Sequence, residues 1–177
     1  MIIRETELKD ARLIELEYRR DERGFFARSF CAEEFAKAGL VSAFVQQNSS
    51  QSLLKGAFRG LHWQKEPYGE VKVMRTLRGA TFNVIVDVRP GSPSFKRWQG
   101  FELSADNRRQ LYVPAGFANG YQALTDEAEV AYLVSTPYAP GAEGGLRYDD
   151  PGVAITLPLP VTAISEKDRA WADFTAP

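Results

Sequence analysis

Short apolar runs return about every dozen residues along this chain, and glycine or proline cuts most of them off. A chain so punctuated has little room for long helices, so its apolar residues must be buried largely by strands. Strands are predicted over 44–46, 72–77, 82–88, 101–103, 110–113, 130–135 and 153–157, several of them supported by alternation and β-branched content. Leu77-Arg78-Gly79-Ala80 reads as a tight turn between two of them, and Arg89-Pro90-Gly91-Ser92-Pro93 breaks the chain before another. Strands divided by turns rather than helices predict an antiparallel sandwich or barrel, not β-α-β units. Helix is expected in two short stretches. One is 32–38, closed by Gly39. The other begins at Ser165, where Ser165-Glu166-Lys167-Asp168 resembles a capping box with Asp in place of Glu or Gln. Residues 1–40 read as a partly extended arm that could pair with a partner subunit.

The 177 residues suit one compact domain over 1–177, and 44% apolar residues with 12% aromatics are ample for its core. A formal net charge of −1 gives no reason to expect a nucleic-acid or anionic-membrane partner. The start, Met1-Ile2-Ile3-Arg4-Glu5, lacks the apolar core of a secretory signal. The densest apolar stretch, 82–88, is interrupted by Asn83 and Asp87 and is too short to span a bilayer. The single cysteine, Cys31, cannot make an internal disulfide; it fits a reducing cytoplasm and is expected to be a buried small hydrophobe.

There is one histidine, His62, in Arg59-Gly60-Leu61-His62-Trp63-Gln64. A metal site built on two or three imidazoles is therefore out of reach. If the chain is an enzyme working near neutral pH, His62 is its one side chain that titrates there unperturbed. Its structural alternative is a packed histidine at a strand end. Arg59, Lys72, Tyr132 and Asp168 complete the set that attracts attention. A carboxylate that holds the histidine fixes its tautomer and stabilises the imidazolium. A cationic lysine or arginine beside a carbonyl oxygen stabilises an enolate, and a tyrosine on the far side returns a proton. Each also has a plain structural role: Asp168 as a helix cap, Lys72 as a solvated strand charge, Tyr132 as a core residue with its hydroxyl at the rim. Arg59 and His62 are three apart, so a regular strand places them on opposite faces. Only a bulge, for which Gly60 is the candidate, brings both into one cavity. The chain has no Gly-x-Ser-x-Gly elbow and no glycine-rich phosphate loop, which argues against a serine hydrolase or a nucleotide hydrolase.

An ordered series of segments resembles the dTDP-4-dehydrorhamnose 3,5-epimerase family of cupin-like sugar-nucleotide epimerases. The series begins with Asp21-Glu22-Arg23-Gly24-Phe25-Phe26, Gln46-Gln47-Asn48 and Gly56-Ala57-Phe58-Arg59-Gly60-Leu61-His62-Trp63-Gln64. It continues through Val71-Lys72-Val73, Val86-Asp87-Val88-Arg89-Pro90-Gly91-Ser92-Pro93 and Leu111-Tyr112-Val113-Pro114-Ala115-Gly116-Phe117-Ala118. Glu129-Val130-Ala131-Tyr132, Tyr138-Ala139-Pro140, Asp149-Asp150-Pro151 and Ser165-Glu166-Lys167-Asp168 close it. The pieces run nearly end to end, and their order makes the series specific although each piece alone is weak.

The resemblance implies an all-β fold, a cupin-like antiparallel β-barrel (jelly roll) with a few short helices, usually a homodimer, with no metal or redox cofactor. It implies an epimerase that inverts carbon 3, carbon 5 or both in a nucleoside-diphosphate 4-keto-deoxysugar or 4-keto-heptose, through an enolate, in surface-polysaccharide or deoxysugar biosynthesis. His62 is then the base, Asp168 its carboxylate partner, Lys72 the group facing the enolate and Tyr132 the proton donor on the opposite face. Arg23, Gln47, Asn48, Arg59, Glu143 and Lys167 match positions that hold sugar or diphosphate, and Tyr138 matches the aromatic that stacks on the base, with Phe26 nearby. Two positions depart from the family. Asn119, in Gly116-Phe117-Ala118-Asn119-Gly120, replaces a histidine, which suggests restriction to carbon 3. Arg28 stands where a thymine-contacting acid is common, which opens GDP or CDP beside dTDP as the nucleotide, since a guanidinium only donates hydrogen bonds. The alternative from another class is a non-catalytic cupin that binds a sugar nucleotide or a protein partner.

Overall fold

The computed structural model describes residues 1–175. In chain order the elements are β1 (Ile2–Glu5), β2 (Arg12–Glu15), β3 (Arg19–Asp21), β4 (Gly24–Phe26), α1 (Ala32–Lys37), β5 (Gln46–Ser52), β6 (Phe58–Gln64) and β7 (Lys72–Arg78). They continue with β8 (Ala80–Asp87), β9 (Trp98–Ser104), β10 (Gln110–Val113), β11 (Phe117–Ala123), β12 (Ala128–Val134), β13 (Glu143–Gly145) and α2 (Glu166–Arg169). A six-stranded sheet, in the order β1-β2-β10-β7-β12-β5, faces a five-stranded one, in the order β13-β6-β11-β8-β9. Every pairing is antiparallel, and β3 and β4 form a separate hairpin in the arm. This is the cupin-like, all-β architecture expected.

Strand alternation sorts the apolar residues into layers. Met74, Ile85, Leu103, Leu111, Tyr121 and Val130 pack together between the sheets, joined by Leu8 and Ala11 from the loop between β1 and β2. The neighbours of Met74 and Leu111 in sequence, Val73 and Tyr112, turn outward, where Phe35 of α1 covers them. Val84 and Val86 of β8 likewise turn outward, under Leu146, Val153 and the C-terminal segment. The interior strand β8 therefore has apolar cover on both faces, which is why its sequence reads as a nearly continuous apolar run.

The predicted strand at 153–157 is absent. Val153, Ile155 and Leu157 do alternate onto one face, but that face lies across the five-stranded sheet and pairs with no strand. Cys31 is half-buried at the N-cap of α1 rather than buried, because the helix is anchored through Phe35 instead. The predicted strand at 44–46 begins later, at Gln46, and runs on through a polar stretch to Ser52. No helix among the described residues is long and apolar enough to cross a membrane.

Candidate active site

The space between the sheets is filled with apolar side chains at one end and open at the other. The open end is a cavity of about 1020 Å³, reached by Arg59, His62, Lys72, Asn119, Tyr132 and Asp168. Its polarity arises locally. Ser50 and Ser52 of β5 point inward at alternate positions, and Asn119 and Tyr121 do the same on β11.

β6 supplies two of these groups through an irregularity. Asn119 stands opposite His62 and Tyr121 opposite Arg59, so three steps along β6 match two along β11. The extra residue lets both Arg59 and His62 enter the cavity while Leu61 remains in the outer apolar layer. Gly60 sits at this point with φ of 112°, and a Cβ there would meet the Gly120 Cα at 2.6 Å and the Asn119 carbonyl oxygen at 2.8 Å. A glycine is required on both counts.

Asp168 reaches His62 from α2. Ser165 Oγ caps that helix by accepting the Asp168 backbone N–H at 3.0 Å. The Asp168 side chain is thereby left out of capping. Its Oδ1 lies 2.6 Å from His62 Nε2, and its Oδ2 accepts the Gly60 N–H at 3.1 Å. Burial works to raise the Asp168 carboxyl, but the bond from His62 and the Gly60 N–H outweigh it and hold the group below the ordinary carboxylate range. An ionised Asp168 accepts a proton-bearing Nε2, which leaves Nδ1 as the basic nitrogen of the neutral ring.

Across the cavity the six-stranded sheet contributes Lys72 and Tyr132. The Lys72 side chain is 13% exposed, not a solvated strand charge. Its Nζ lies 2.8 Å from Glu70 Oε1 and donates to Asn119 Oδ1 at 2.9 Å. The Asn119 amide is oriented in turn by donation from Nδ2 to Met74 Sδ at 3.0 Å. Burial pushes the Tyr132 phenol up; Asn48, its partner across β5, works against this and the charge of Glu70 adds to it. Tyr132 is therefore a protonated phenol at neutral pH, able to donate. Arg59 is fixed at the rim by Ser52 Oγ at 3.1 Å and the Gln51 carbonyl at 2.7 Å.

A smaller recess of about 150 Å³ also touches His62, Lys72 and Tyr132, and Asn48, Glu70, Tyr138 and Glu143 line it. Lys167 lines the larger cavity and pairs with Glu143. Ten residues singled out from sequence thus converge here: His62, Asp168, Lys72, Tyr132, Asn48, Arg59, Asn119, Tyr138, Glu143 and Lys167. Four others do not. Gln47 turns to the outer face of β5, beside Ser29 and Phe30, because it alternates with Gln46 and Asn48. Arg23 and Phe26 are exposed on the β3–β4 hairpin, with Arg23 paired to Asp21. Arg28 is exposed too, and its Nη1 is bonded to Glu34 at 2.8 Å rather than presented to a ligand. Glu70 went unnoticed in the sequence; the i, i+2 spacing to Lys72 was its one signal. Among the described residues, no cluster of three or more His, Cys, Asp or Glu side chains could hold a metal ion.

A histidine–carboxylate pair facing a buried lysine and a protonated tyrosine in a cupin-like barrel defines a class: isomerases that move protons beside a carbonyl. The family model described as dTDP-4-dehydrorhamnose 3,5-epimerase matches residues 5–176. The dTDP-4-dehydrorhamnose 3,5-epimerase of Shigella flexneri is 43% identical over 169 residues, covering 95% of this chain and 93% of that protein. A dTDP-4-dehydrorhamnose 3-epimerase of Streptomyces niveus is 38% identical, over 86% of this chain and 74% of its own length. The crystal structure of the 3,5-epimerase from Bacillus anthracis, with TDP and PPi bound, superposes with a TM-score of 0.94 at 40% identity, covering 98% of this chain and 99% of that one. The chain belongs to the dTDP-4-dehydrorhamnose 3,5-epimerase family, and it is an epimerase.

Proposed function

We propose that the protein epimerises a dTDP-linked 4-keto-deoxysugar, acting first at carbon 3. The observation that carries this reading is the His62–Asp168 pair set across one cavity from Lys72 and Tyr132. His62 Nδ1 removes the proton beside the ketone, and Asp168 stabilises the imidazolium that forms. Lys72 faces the ketone oxygen as it becomes an enolate oxygen. Tyr132, on the opposing sheet, delivers a proton to the other face of the carbon, and the configuration inverts. All of this is proton transfer, so no cofactor is called for. Asn119, an amide, takes up no proton near neutral pH, and carbon 5 accordingly reacts slowly or not at all. The relatives include both double and single epimerases, which accommodates either outcome.

Arg59 and Lys167 supply positive charge at the rim for the diphosphate, and Tyr138 an exposed ring for the base. GDP or CDP, considered because of Arg28, has no support: that guanidinium is engaged by Glu34, and the Bacillus anthracis relative holds TDP. In a cytoplasmic homodimer the exposed β3–β4 hairpin carrying Arg23 and Phe26 would reach the partner's cavity and add to the nucleotide site. A dTDP-4-keto-deoxysugar incubated in deuterium oxide and followed by NMR tests the reaction. Deuterium is expected at carbon 3 well before carbon 5; absence of exchange at both carbons would refute the reading. Calorimetric titration with dTDP, GDP, CDP and UDP should rank dTDP tightest, and a preference for GDP or CDP would reinstate Arg28 as a selector of the base.

A further inference from the structure

An ammonium group carries three N–H donors and no acceptor, and on a four-carbon stem it adopts many positions. Lys72 does not have that freedom. Asn119 accepts one N–H at 2.9 Å, and the Glu70 carboxylate lies 2.8 Å from the nitrogen. Both anchors are themselves restrained. The Glu70 and Lys72 side chains are 12% and 13% exposed, and the Asn119 amide is held by Met74 Sδ at 3.0 Å. The remaining donor capacity of Lys72 faces the cavity.

We propose that Glu70 is a positioning residue: together with Asn119 it clamps the Lys72 ammonium from two sides and aims its free N–H at the substrate's carbonyl oxygen. This rests on the reading of the reaction given above. The gain is preorganisation, since a donor already in place spends nothing on reorientation as charge develops on the enolate oxygen. It also gives Asn119 a task that its amide suits, orienting the lysine, in place of proton transfer. The clamp reaches a second group. The Glu70 charge favours the protonated form of Tyr132, in the direction that burial already sets. The other groups around Tyr132 are Lys72 from β7, Arg59 and His62 from β6, and Tyr121 from β11. Glu143 of β13 and Asp168 and Lys167 of α2 lie further along the same walls.

Glu70→Leu and Glu70→Gln in the full-length protein test the clamp, with kcat and KM for epimerisation measured across pH. Glu70→Leu should lower kcat by roughly tenfold to a hundredfold, the cost of a misplaced group, with little change in KM. Glu70→Gln keeps an oxygen acceptor beside Lys72 and should recover most of that loss. In both variants the alkaline limb of the kcat profile should move to lower pH, because Tyr132 loses the neighbouring negative charge. Unchanged kcat in Glu70→Leu, or equal losses in both variants carried by KM, would overturn the proposal. If Glu70→Leu does not fold, Glu70→Ala takes its place in the same comparison: a kcat loss that Glu70→Gln recovers supports the clamp, and an unchanged kcat refutes it. Absence of exchange in the unmodified protein would instead refute the reading of the reaction, and the clamp with it.

Discussion

His62 lines the cavity with its Nε2 tied to Asp168 Oδ1, and the proposed reaction uses its other ring nitrogen as the base. His62→Ala should lower solvent exchange at carbon 3 by about 10²–10⁴-fold, as expected for a positioned general base with no second imidazole in the chain. Asp168→Asn should reduce the rate while dTDP affinity in calorimetry stays near that of the unmodified protein. Unchanged turnover with a lower melting temperature would instead make Asp168 a structural residue. Asn119 offers the converse experiment. Asn119→His should introduce exchange at carbon 5, and equal exchange at both carbons before the substitution would remove the reason for it. The residues of the site were legible through the family resemblance, which gave roles to the lone histidine, the lysine, the tyrosine and the acid that each also had a plain structural alternative. Their contacts were not: His62 and Asp168 stand 106 residues apart, and nothing local couples them.

The element that decides the site is β6. Its bulge turns both Arg59 and His62 inward, and the bulge depends on Gly60, where the backbone of β11 leaves no room for a Cβ. Gly60→Ala should cost at least about 1–3 kcal/mol, the usual range for overpacking, and should depress turnover more than the loss in stability explains, because His62 is displaced with the strand. Urea unfolding and deuterium exchange on the same samples separate the two effects; a variant as stable and as active as the original would show that the close approach is easily relieved. α2 makes a similar point at smaller scale. Ser165 could be recognised as a cap from its neighbours, but the substitution of Asp for Glu or Gln in the box only looked like a weaker signal. In the fold the Asp168 side chain does not close the box at all but binds His62 and the Gly60 N–H.

Across the whole molecule, acid stability rests on a group remote from the chemistry. Asp87 is fully buried at the end of β8, accepting from Arg89 Nε at 2.9 Å, Ser92 Oγ at 2.5 Å and Ser94 Oγ at 2.6 Å. Burial opposes its ionisation, yet these bonds hold its pKa down to about 2 from 3.8. A depressed pKa contributes stability that is present above the unfolded value and lost as pH falls through the folded one, here between about pH 4 and 2, and worth roughly 2 kcal/mol. Asp87→Asn should flatten that part of the stability curve measured by urea unfolding, whereas the same acid slope in both proteins would assign it elsewhere. Light scattering should report a dimer, and Arg23→Ala with Phe26→Ala in the exposed β3–β4 hairpin should weaken dTDP binding together with assembly; a monomer with intact affinity would show that the hairpin serves neither. The amino-acid sequence by itself determined β7, β8, β9, β10 and β12 and the two short helices, because alternation, turn chemistry and capping act over a few neighbours, while the roles of the reactive residues came from the family resemblance; β6 and β11, which carry Arg59, His62 and Asn119, were not read from it. The tertiary structure alone decided that 153–157 covers a sheet instead of joining one, that Gln47 faces outward, and that Glu70 and Asn119 meet on Lys72. Those outcomes depend on which faces of two distant sheets come together, and that is settled by burial across the whole chain.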